Sequence, residues 1–171
     1  MLGRTYDDQV CSIARTLEVL GERWTLLVVR DALLGLRKFD EFQRSLGVAR
    51  NVLSDRLNRL VDAGVLERVP YQQRPPRFEY QLTATGRELA VPVVGLMHWG
   101  DRHLAGRAGP PRLTRHRECG GAVHIGLACA NCGQPVPPGD LEVLPGPGLP
   151  SPPRSRRSGR RPTSSAGSPK R

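Results

Sequence analysis

The stretch RKFDEFQRSLGVARNVLSDRLNRLVDAGVLERVPYQQRPPRFEYQLTATG, residues 37–86, decides the fold of this chain. Residues 39–46 have the pattern of a short amphipathic helix, and Gly47 ends it. Residues 49–61 have the pattern of a second helix, which ends before Gly64, a residue type favoured just past a helix. Its apolar face carries leucines at i, i+4 and i+7: Leu53, Leu57 and Leu60. Two helices joined by a tight turn can place the second in the major groove of DNA.

A short hairpin is predicted directly after this helix pair. Residues 66–69 and 78–82 have strand patterns on either side of an arginine- and proline-rich loop, residues 71–77. Because the loop carries arginines and no acidic residue, the hairpin can lie along DNA phosphates. The fold expected from these elements is mainly α with a small β-hairpin wing (α+β), a winged helix-turn-helix.

Further helices are predicted on both sides of this unit. Residues 11–20 and the nearly all-apolar residues 24–34 have helical patterns, and the second helix is expected to be buried. A long helix is expected over about residues 84–104, with a kink at Pro92. Residues 10–105 therefore form the predicted DNA-binding and dimerisation domain, and the chain shows no internal repeat.

The positive charge of this chain is unevenly distributed. The formal net charge is +10, yet all sixteen acidic residues lie at or before Glu142. Residues 1–143 hold nineteen Lys and Arg residues and have a net charge of +3, so DNA affinity there depends on where the arginines lie. Residues 144–171 hold seven Lys and Arg residues and no acid, and their Pro, Gly and Ser content predicts a disordered basic tail. Residues 1–9 are expected to form a flexible N-terminus.

Neither a signal peptide nor a membrane span is expected. The first residues lack the apolar core of a signal peptide, and no run approaches the roughly 18 apolar residues that a span requires. We therefore expect a cytoplasmic protein without membrane contact, in which reduced cysteines suggest metal binding or redox chemistry. An enzyme is not expected, because the sequence contains no Gly-rich phosphate loop, paired carboxylates or nucleophile motif.

The polar face of the second helix carries residue types that suit base edges. Arginine pairs bidentately with guanine, asparagine with adenine and serine with several bases, and each good bidentate pair contributes about 1–3 kcal/mol of discrimination. Asp55 can accept from cytosine or orient a neighbouring arginine, and the sequence does not choose between these roles. The predicted base-reading residues are Arg50, Asn51, Ser54, Asp55 and Asn58. The predicted phosphate-contacting residues are Arg37, Lys38, Arg74 and Arg77. The competing interpretation is a polar face that is merely solvated.

Several ordered blocks resemble the HxlR-type transcriptional regulators over about residues 10–104. The blocks are LEVLGERWTL at 17–26, preceded by Cys11, then RKFDEF at 37–42, LSDRL at 53–57, GVLER at 64–68, PRFEYQLT at 76–83, Gly86 and HWG at 98–100. The resemblance implies a homodimeric winged helix-turn-helix repressor or activator that dimerises through its first and last helices. It also implies that the helix at 49–61 is the recognition helix and that the hairpin is the wing.

Dimerisation is also expected from the apolar stripe of the last helix. The stripe includes Leu89, Val93, Leu96 and Met97, and it either packs on its own domain or is covered by a second copy. A two-fold dimer would present two recognition helices about 34–36 Å apart to a palindromic double-stranded DNA operator. A small-molecule effector bound between dimer helices is an open alternative, and so is an adaptor that uses the winged fold without DNA.

Cys11 is a candidate redox-sensing residue. A thiol near the start of a helix can be activated by the helix dipole, and Arg15 adds positive charge one turn later. The resemblance implies that a cysteine at this position senses quinones, aldehydes or oxidants, although Ser12 stands where many relatives have proline. The alternative is a small buried residue without a sensing role.

Residues 112–143 are predicted to form a small zinc-ribbon-like module. The motifs His116-x-x-Cys119-Gly and Cys129-x-x-Cys132-Gly each place two ligand-type side chains around two residues, and nine residues separate Cys119 from Cys129. These four residues suit a closed structural Zn²⁺ site of the Cys₃His type. His124 is the rival fourth ligand, and three free thiols without metal are the alternative.

Overall fold

A computed structural model of the chain describes residues 5, 6 and 8–149. Six α-helices and two strands are found in this part of the chain: α1 Ser12–Leu20, α2 Thr25–Leu33, α3 Phe39–Leu46, α4 Arg50–Asp62, β1 Leu66–Gln72, β2 Arg77–Leu82, α5 Ala84–Glu88 and α6 Ala90–His103. The strands form an antiparallel hairpin directly after α4. The prediction of a mainly α fold with a β-hairpin is therefore confirmed. Residues 1–4, 7 and 150–171 lie outside the described residues, and so do the predictions that concern them.

The α3–turn–α4 unit is fixed at both ends of α3. The Glu41 carboxylate accepts hydrogen bonds from the backbone N–H groups of Arg37 and Lys38, each at 2.9 Å, and so satisfies donors that precede the helix. These bonds lower the pKa of Glu41, and the bond from Lys38 has the larger effect of the two. Gly47 ends the helix with φ +63°, a left-handed conformation that raises the free energy of any residue with a Cβ. The chain can therefore turn within three residues and start α4 at Arg50.

The core is built from the apolar faces that the sequence indicated. Leu53, Leu57 and Leu60 of α4 are fully buried, as the predicted leucine spacing requires. They share one hydrophobic cluster with the fully buried Phe42 of α3 and Val28 of α2. Because this cluster buries one side of α4, the opposite side is left facing solvent.

The hairpin is joined to the core at its open end. Leu66 pairs with Leu82 in an antiparallel register that is shifted between Pro70 and Gln72. The Thr83 hydroxyl caps α5 by accepting from the Gly86 N–H at 3.0 Å, and it donates to the Gly64 carbonyl at 2.6 Å. A Cβ at Gly86 would lie 2.1 Å from the Val65 carbonyl oxygen, so only glycine fits there.

The prediction of one long C-terminal helix is wrong in one respect. The chain does not kink at Pro92 but breaks at Leu89, between α5 and α6. The proline has no N–H to donate to the carbonyl of Glu88, so a helix continuous through both residues would lose that bond and gain a clash. After the break, Pro92 lies in the first turn of α6, where a missing donor costs nothing.

None of the helices in the described part of the chain has the length and apolarity that crossing a bilayer requires.

Candidate nucleic-acid interface

The exposed face of α4 lies opposite its three buried leucines. Arg50, Asn51 and Asp55 are exposed, whereas Ser54 and Asn58 are half-buried. The five predicted base-reading residues therefore share one face of one helix. Arg50 is the first residue of α4, so the left-handed turn at Gly47 sets where this face begins.

The side chain of Arg50 is held against α3. Its Nη1 donates to Gln43 Oε1 at 3.0 Å and lies 3.4 Å from Asp40 Oδ1. The guanidinium also lies over the Phe39 ring, 4.6 Å from the ring centroid. The two ion-pair partners are well exposed, so water competes for this contact and the arginine can exchange it for another acceptor at small cost.

Asp55 contacts arginines of its own helix. Its Oδ2 lies 3.2 Å from Arg56 Nη1 and 3.2 Å from Arg59 Nε. Arg56 also reaches back to Glu22, with 3.1 Å between Nη2 and Oε2. Of the two roles that the sequence left open for Asp55, this geometry favours the orientation of neighbouring arginines.

One hydrogen bond joins α4 to the hairpin. Arg68 of β1 donates from Nη2 to Oδ1 of Asn58, and its guanidinium lies over the Tyr80 ring at 5.9 Å from the centroid. With one bond accepted by its oxygen, Asn58 keeps its amide N–H₂ group available to donate to a partner. Arg68 is thus a part of the surface that the predicted residue set did not include.

An open cavity of about 600 Å³ lies between the start of α3 and the hairpin. Four basic side chains and two acidic ones line it, and the basic ones define what we call the basic groove. The basic residues are Lys38, Arg44, Arg50 and Arg77, and the acidic residues are Asp40 and Glu41. Lys38 Nζ lies 5.2 Å from the centre of the Tyr71 ring across the groove. The four basic side chains can donate to phosphate oxygens, whereas Asp40 and Glu41 oppose the binding of an anion at the start of α3.

The predicted phosphate-contacting residues are only partly brought together. Lys38 and Arg77 line the basic groove, while Arg37 lies beside it and pairs with Glu79 at 3.7 Å. Arg74 lies at the hairpin turn, where its carbonyl accepts from Gln72 at 3.0 Å, and it does not line the groove. Arg44 is a member that the sequence reasoning missed, although its position on the polar face of α3 was the available signal.

Large apolar side chains are exposed on α1 and α6. Ile13 is 70% exposed, and on α6 Leu96 and Trp99 are 57% and 52% exposed. No residue of α6 is buried in the single chain. The apolar side chains of α1 are therefore only partly inside, because Leu20 is buried whereas Ile13 and Leu17 are exposed.

Cys11 is exposed at the N-cap of α1. A buried residue without a sensing role is thus the weaker of the two interpretations. An open cavity of about 430 Å³ runs past Cys11 and Arg15 to residues 143–149. The thiol is therefore reachable from solvent.

The predicted metal ligands lie in two pairs. His116 Nδ1 is 3.2 Å from Cys119 Sγ, and the pKa of Cys129 is lowered by hydrogen bonds from the backbone of Cys132 and Asn131 and from the Cys132 side chain. Across residues 5, 6 and 8–149, no group of three or more His, Cys, Asp or Glu side chains is assembled around one point that could hold an ion. The module also touches the main domain, where His98 of α6 hydrogen-bonds Thr114 at 2.9 Å.

Comparison with known proteins identifies this architecture. Residues 19–107 match the HxlR-like helix-turn-helix family. An HTH-type transcriptional regulator of Mycobacterium tuberculosis (strain ATCC 25618 / H37Rv) is 45% identical over 138 residues, which cover 81% of this chain and 87% of the relative. The prediction of a helix-turn-helix transcriptional regulator is confirmed at the level of the family.

Two solved structures show how far the similarity extends. A crystal structure of PA1607, described as a candidate transcription factor, has a TM-score of 0.71 and 36% identity, and the match covers 78% of this chain and 94% of PA1607. The redox regulator HypR in its reduced form has a TM-score of 0.51 and 31% identity over 54% of this chain and 92% of HypR. The chain belongs to the HxlR-like helix-turn-helix family of transcriptional regulators.

Proposed function

We propose that this chain binds a specific double-stranded DNA operator as a homodimer. In this proposal α4 is the recognition helix and enters the major groove with Arg50, Asn51, Ser54 and Asn58, while the hairpin is the wing. Lys38, Arg44 and Arg77 of the basic groove then contact the phosphates on one side of α4. The observation that carries the proposal is the polar, solvent-facing side of α4 directly beside this groove.

Two copies of the chain are proposed because α6 leaves large apolar side chains exposed in one copy, although Leu89 and Val93 of the predicted stripe pack against the core. Leu96 and Trp99 of α6 and Ile13 of α1 expose apolar surface that water disfavours. A two-fold arrangement covers the same surface on both copies and makes the operator palindromic.

Binding to a selected operator tests the proposal. Sites are first enriched from random duplexes with the purified full chain, and binding is then measured by fluorescence anisotropy. We expect Arg50→Ala and Asn51→Ala each to weaken operator binding by about 1–3 kcal/mol while leaving binding to unrelated DNA almost unchanged.

The matched control is Arg107→Ala, since Arg107 is exposed beyond α6 and away from the basic groove. Failure to enrich any preferred site, or equal affinity of Arg50→Ala, Asn51→Ala and the unaltered chain for the enriched site, would contradict sequence-specific binding by α4.

A second candidate function is the sensing of oxidants or electrophiles through Cys11. It is favoured by the exposed position of the thiol at the start of α1, because α1 itself carries part of the exposed apolar surface. The similarity to HypR, which is named a redox regulator, supports the same proposal.

The test compares operator binding before and after treatment with diamide. The unaltered chain is expected to change its affinity on oxidation, and Cys11→Ser is expected not to respond. Ser12→Ala serves as the control, because it changes the neighbouring residue of α1 and leaves all four thiols in place. A Cys11→Ser variant that responds like the unaltered chain would end this proposal.

A further inference from the structure

The part of the chain beyond α6 contains one backbone pattern twice, offset by 13 residues. The N–H of His116 donates to the Gly121 carbonyl and the N–H of Gly120 donates to the His116 carbonyl, each at 2.8 Å. In the second copy, Cys129 donates to Gln134 at 2.9 Å and Gly133 donates to Cys129 at 2.8 Å. We call these two turns the first and second knuckle.

The correspondence extends beyond these bonds. Each knuckle is closed by one β-bridge, Arg115–Ala122 in the first and Ala128–Pro135 in the second, and 13 residues again separate the equivalent positions. The bonds from Val123 to Thr114 and from Val136 to Leu127 match in the same way. The expectation that the chain has no internal repeat is therefore wrong. The repeat escapes sequence inspection because only a Cys, a Gly and a Val are shared across TRHRECGGAV, residues 114–123, and LACANCGQPV, residues 127–136.

Each knuckle brings two metal-ligating groups to the same side of its turn. In the first, His116 Nδ1 lies 3.2 Å from Cys119 Sγ. In the second, the sulfur of Cys129 receives hydrogen bonds from two backbone amides and from the side chain of Cys132.

Hydrophobic burial does not account for this repeated structure. No side chain of residues 112–143 is buried, and only Thr114, Cys129 and Val136 are half-buried. So little buried surface cannot offset the entropy of ordering some thirty residues. A bound metal is the usual alternative source of folding free energy in modules of this size.

We propose that the two knuckles together bind one zinc ion, with His116, Cys119, Cys129 and Cys132 as its ligands. Either knuckle alone supplies two ligands, whereas structural zinc takes four in tetrahedral geometry. In the described residues the two pairs are not assembled around one point, so the proposal requires that they come together around the ion. Nine residues join Cys119 to Cys129, so the second half-site is present at a high effective concentration once the first is occupied.

The repeat also decides between the two candidate histidines. His116 occupies the position that Cys129 has in the second knuckle, as the shared hydrogen bonds show. His124 lies outside the repeated turn and lines a cavity of about 300 Å³ with His98 and Asp101 of α6. His124 is therefore a residue of the contact between the module and the main domain.

Metal analysis of the full chain tests the proposal without any measurement of DNA binding. The protein is purified under reducing conditions, loaded with zinc and freed of loose metal by gel filtration. We expect one zinc per chain, and after replacement of zinc by cobalt(II) we expect the absorption bands of tetrahedral cobalt with thiolate ligands. Cys132→Ser and His116→Ala are expected to reduce the retained zinc at least tenfold.

Three further variants make the result specific. His116→Cys is expected to retain one zinc, because it supplies an equivalent ligand, whereas His124→Ala and Cys11→Ser are expected to match the unaltered chain. Equal alkylation of Cys119, Cys129 and Cys132 with and without zinc would overturn the proposal. So would a disulfide between Cys129 and Cys132 in the reduced protein, or loss of zinc on His124→Ala but not on His116→Ala.

Discussion

Single side chains of α4 are already engaged within the protein before any partner arrives. Arg50 is held by Gln43 and Asp40, Asp55 by two arginines, and Asn58 by Arg68. The residue types were readable from the sequence, because helical spacing places them on one face. Their hydrogen-bond partners could not be read from the sequence, because these depend on which side chains α3 and the hairpin bring within reach.

Removal of the acidic partner of Arg50 is predicted to strengthen DNA binding. Asp40→Ala frees the guanidinium and deletes a negative charge beside the basic groove, so we expect tighter binding to operator and to unrelated duplexes alike. Unfolding stability should change by less than about 1 kcal/mol, because the ion pair is exposed. Anisotropy and urea denaturation measure the two effects, and weaker binding by this variant would contradict the prediction.

The carboxylate of Glu41 is predicted to stabilise the start of α3 only in its ionised form. Its pKa is lowered in the folded chain by the N–H groups of Lys38 and Arg37, so its contribution is complete above the ordinary pKa of glutamate, about 4.3. The contribution disappears as the pH falls through the lowered, folded-state pKa. Urea denaturation of the unaltered chain and of Glu41→Gln should differ at neutral pH and converge in acid. A constant difference across this range would contradict the assignment.

At the scale of elements, the turns and breaks are what set the geometry of the fold. The leucine period of α4 and the apolar run of α2 predicted the core correctly, because burial follows periodicity. The prediction placed a kink at Pro92 instead of a break at Leu89, because a proline is compatible both with a kinked helix and with the first turn of a new helix. The sequence showed the two parallel ligand motifs but not the recurring backbone hydrogen bonds between the knuckles, because few side chains recur with them.

Substitution of Gly47 separates backbone strain from packing. Nothing lies within 4 Å of a Cβ built at this residue, so Gly47→Ala should cost only the left-handed conformation, about 1–2 kcal/mol of unfolding free energy. Gly47→Asn is the matched control and should cost less, because asparagine tolerates φ > 0. Gly86→Ala should cost more than either, since its Cβ meets the Val65 carbonyl. Chemical denaturation gives the order, and equal stability of all three variants would contradict it.

At the scale of the whole molecule, the single chain exposes two surfaces of different character. Its helices α1 and α6 carry exposed apolar side chains, while α4 and the hairpin expose polar and basic side chains elsewhere. The sequence identified both surfaces, but the number of copies and their arrangement depend on contacts that one chain does not contain.

The apolar surface of α6 is predicted to be needed for operator affinity, although it does not itself contact DNA. Trp99→Glu should convert the dimer to monomers and weaken operator binding at least tenfold, because each monomer then holds only one half-site. Light scattering and anisotropy report the two outcomes. Leu141→Glu is the control, being about equally exposed but outside α6. A monomeric Trp99→Glu variant with full operator affinity would show that dimerisation is not required.

The bond between Arg68 and Asn58 has a consequence for how such regulators diverge. It ties the hydrogen-bonding options of one helix residue to the identity of a strand residue ten positions later. We therefore expect epistasis between the two elements, in which a paralogue that acquires another hairpin also acquires a new preferred base pair although its α4 sequence is unchanged. A lineage can in this way retarget its gene circuits through mutations that touch no base.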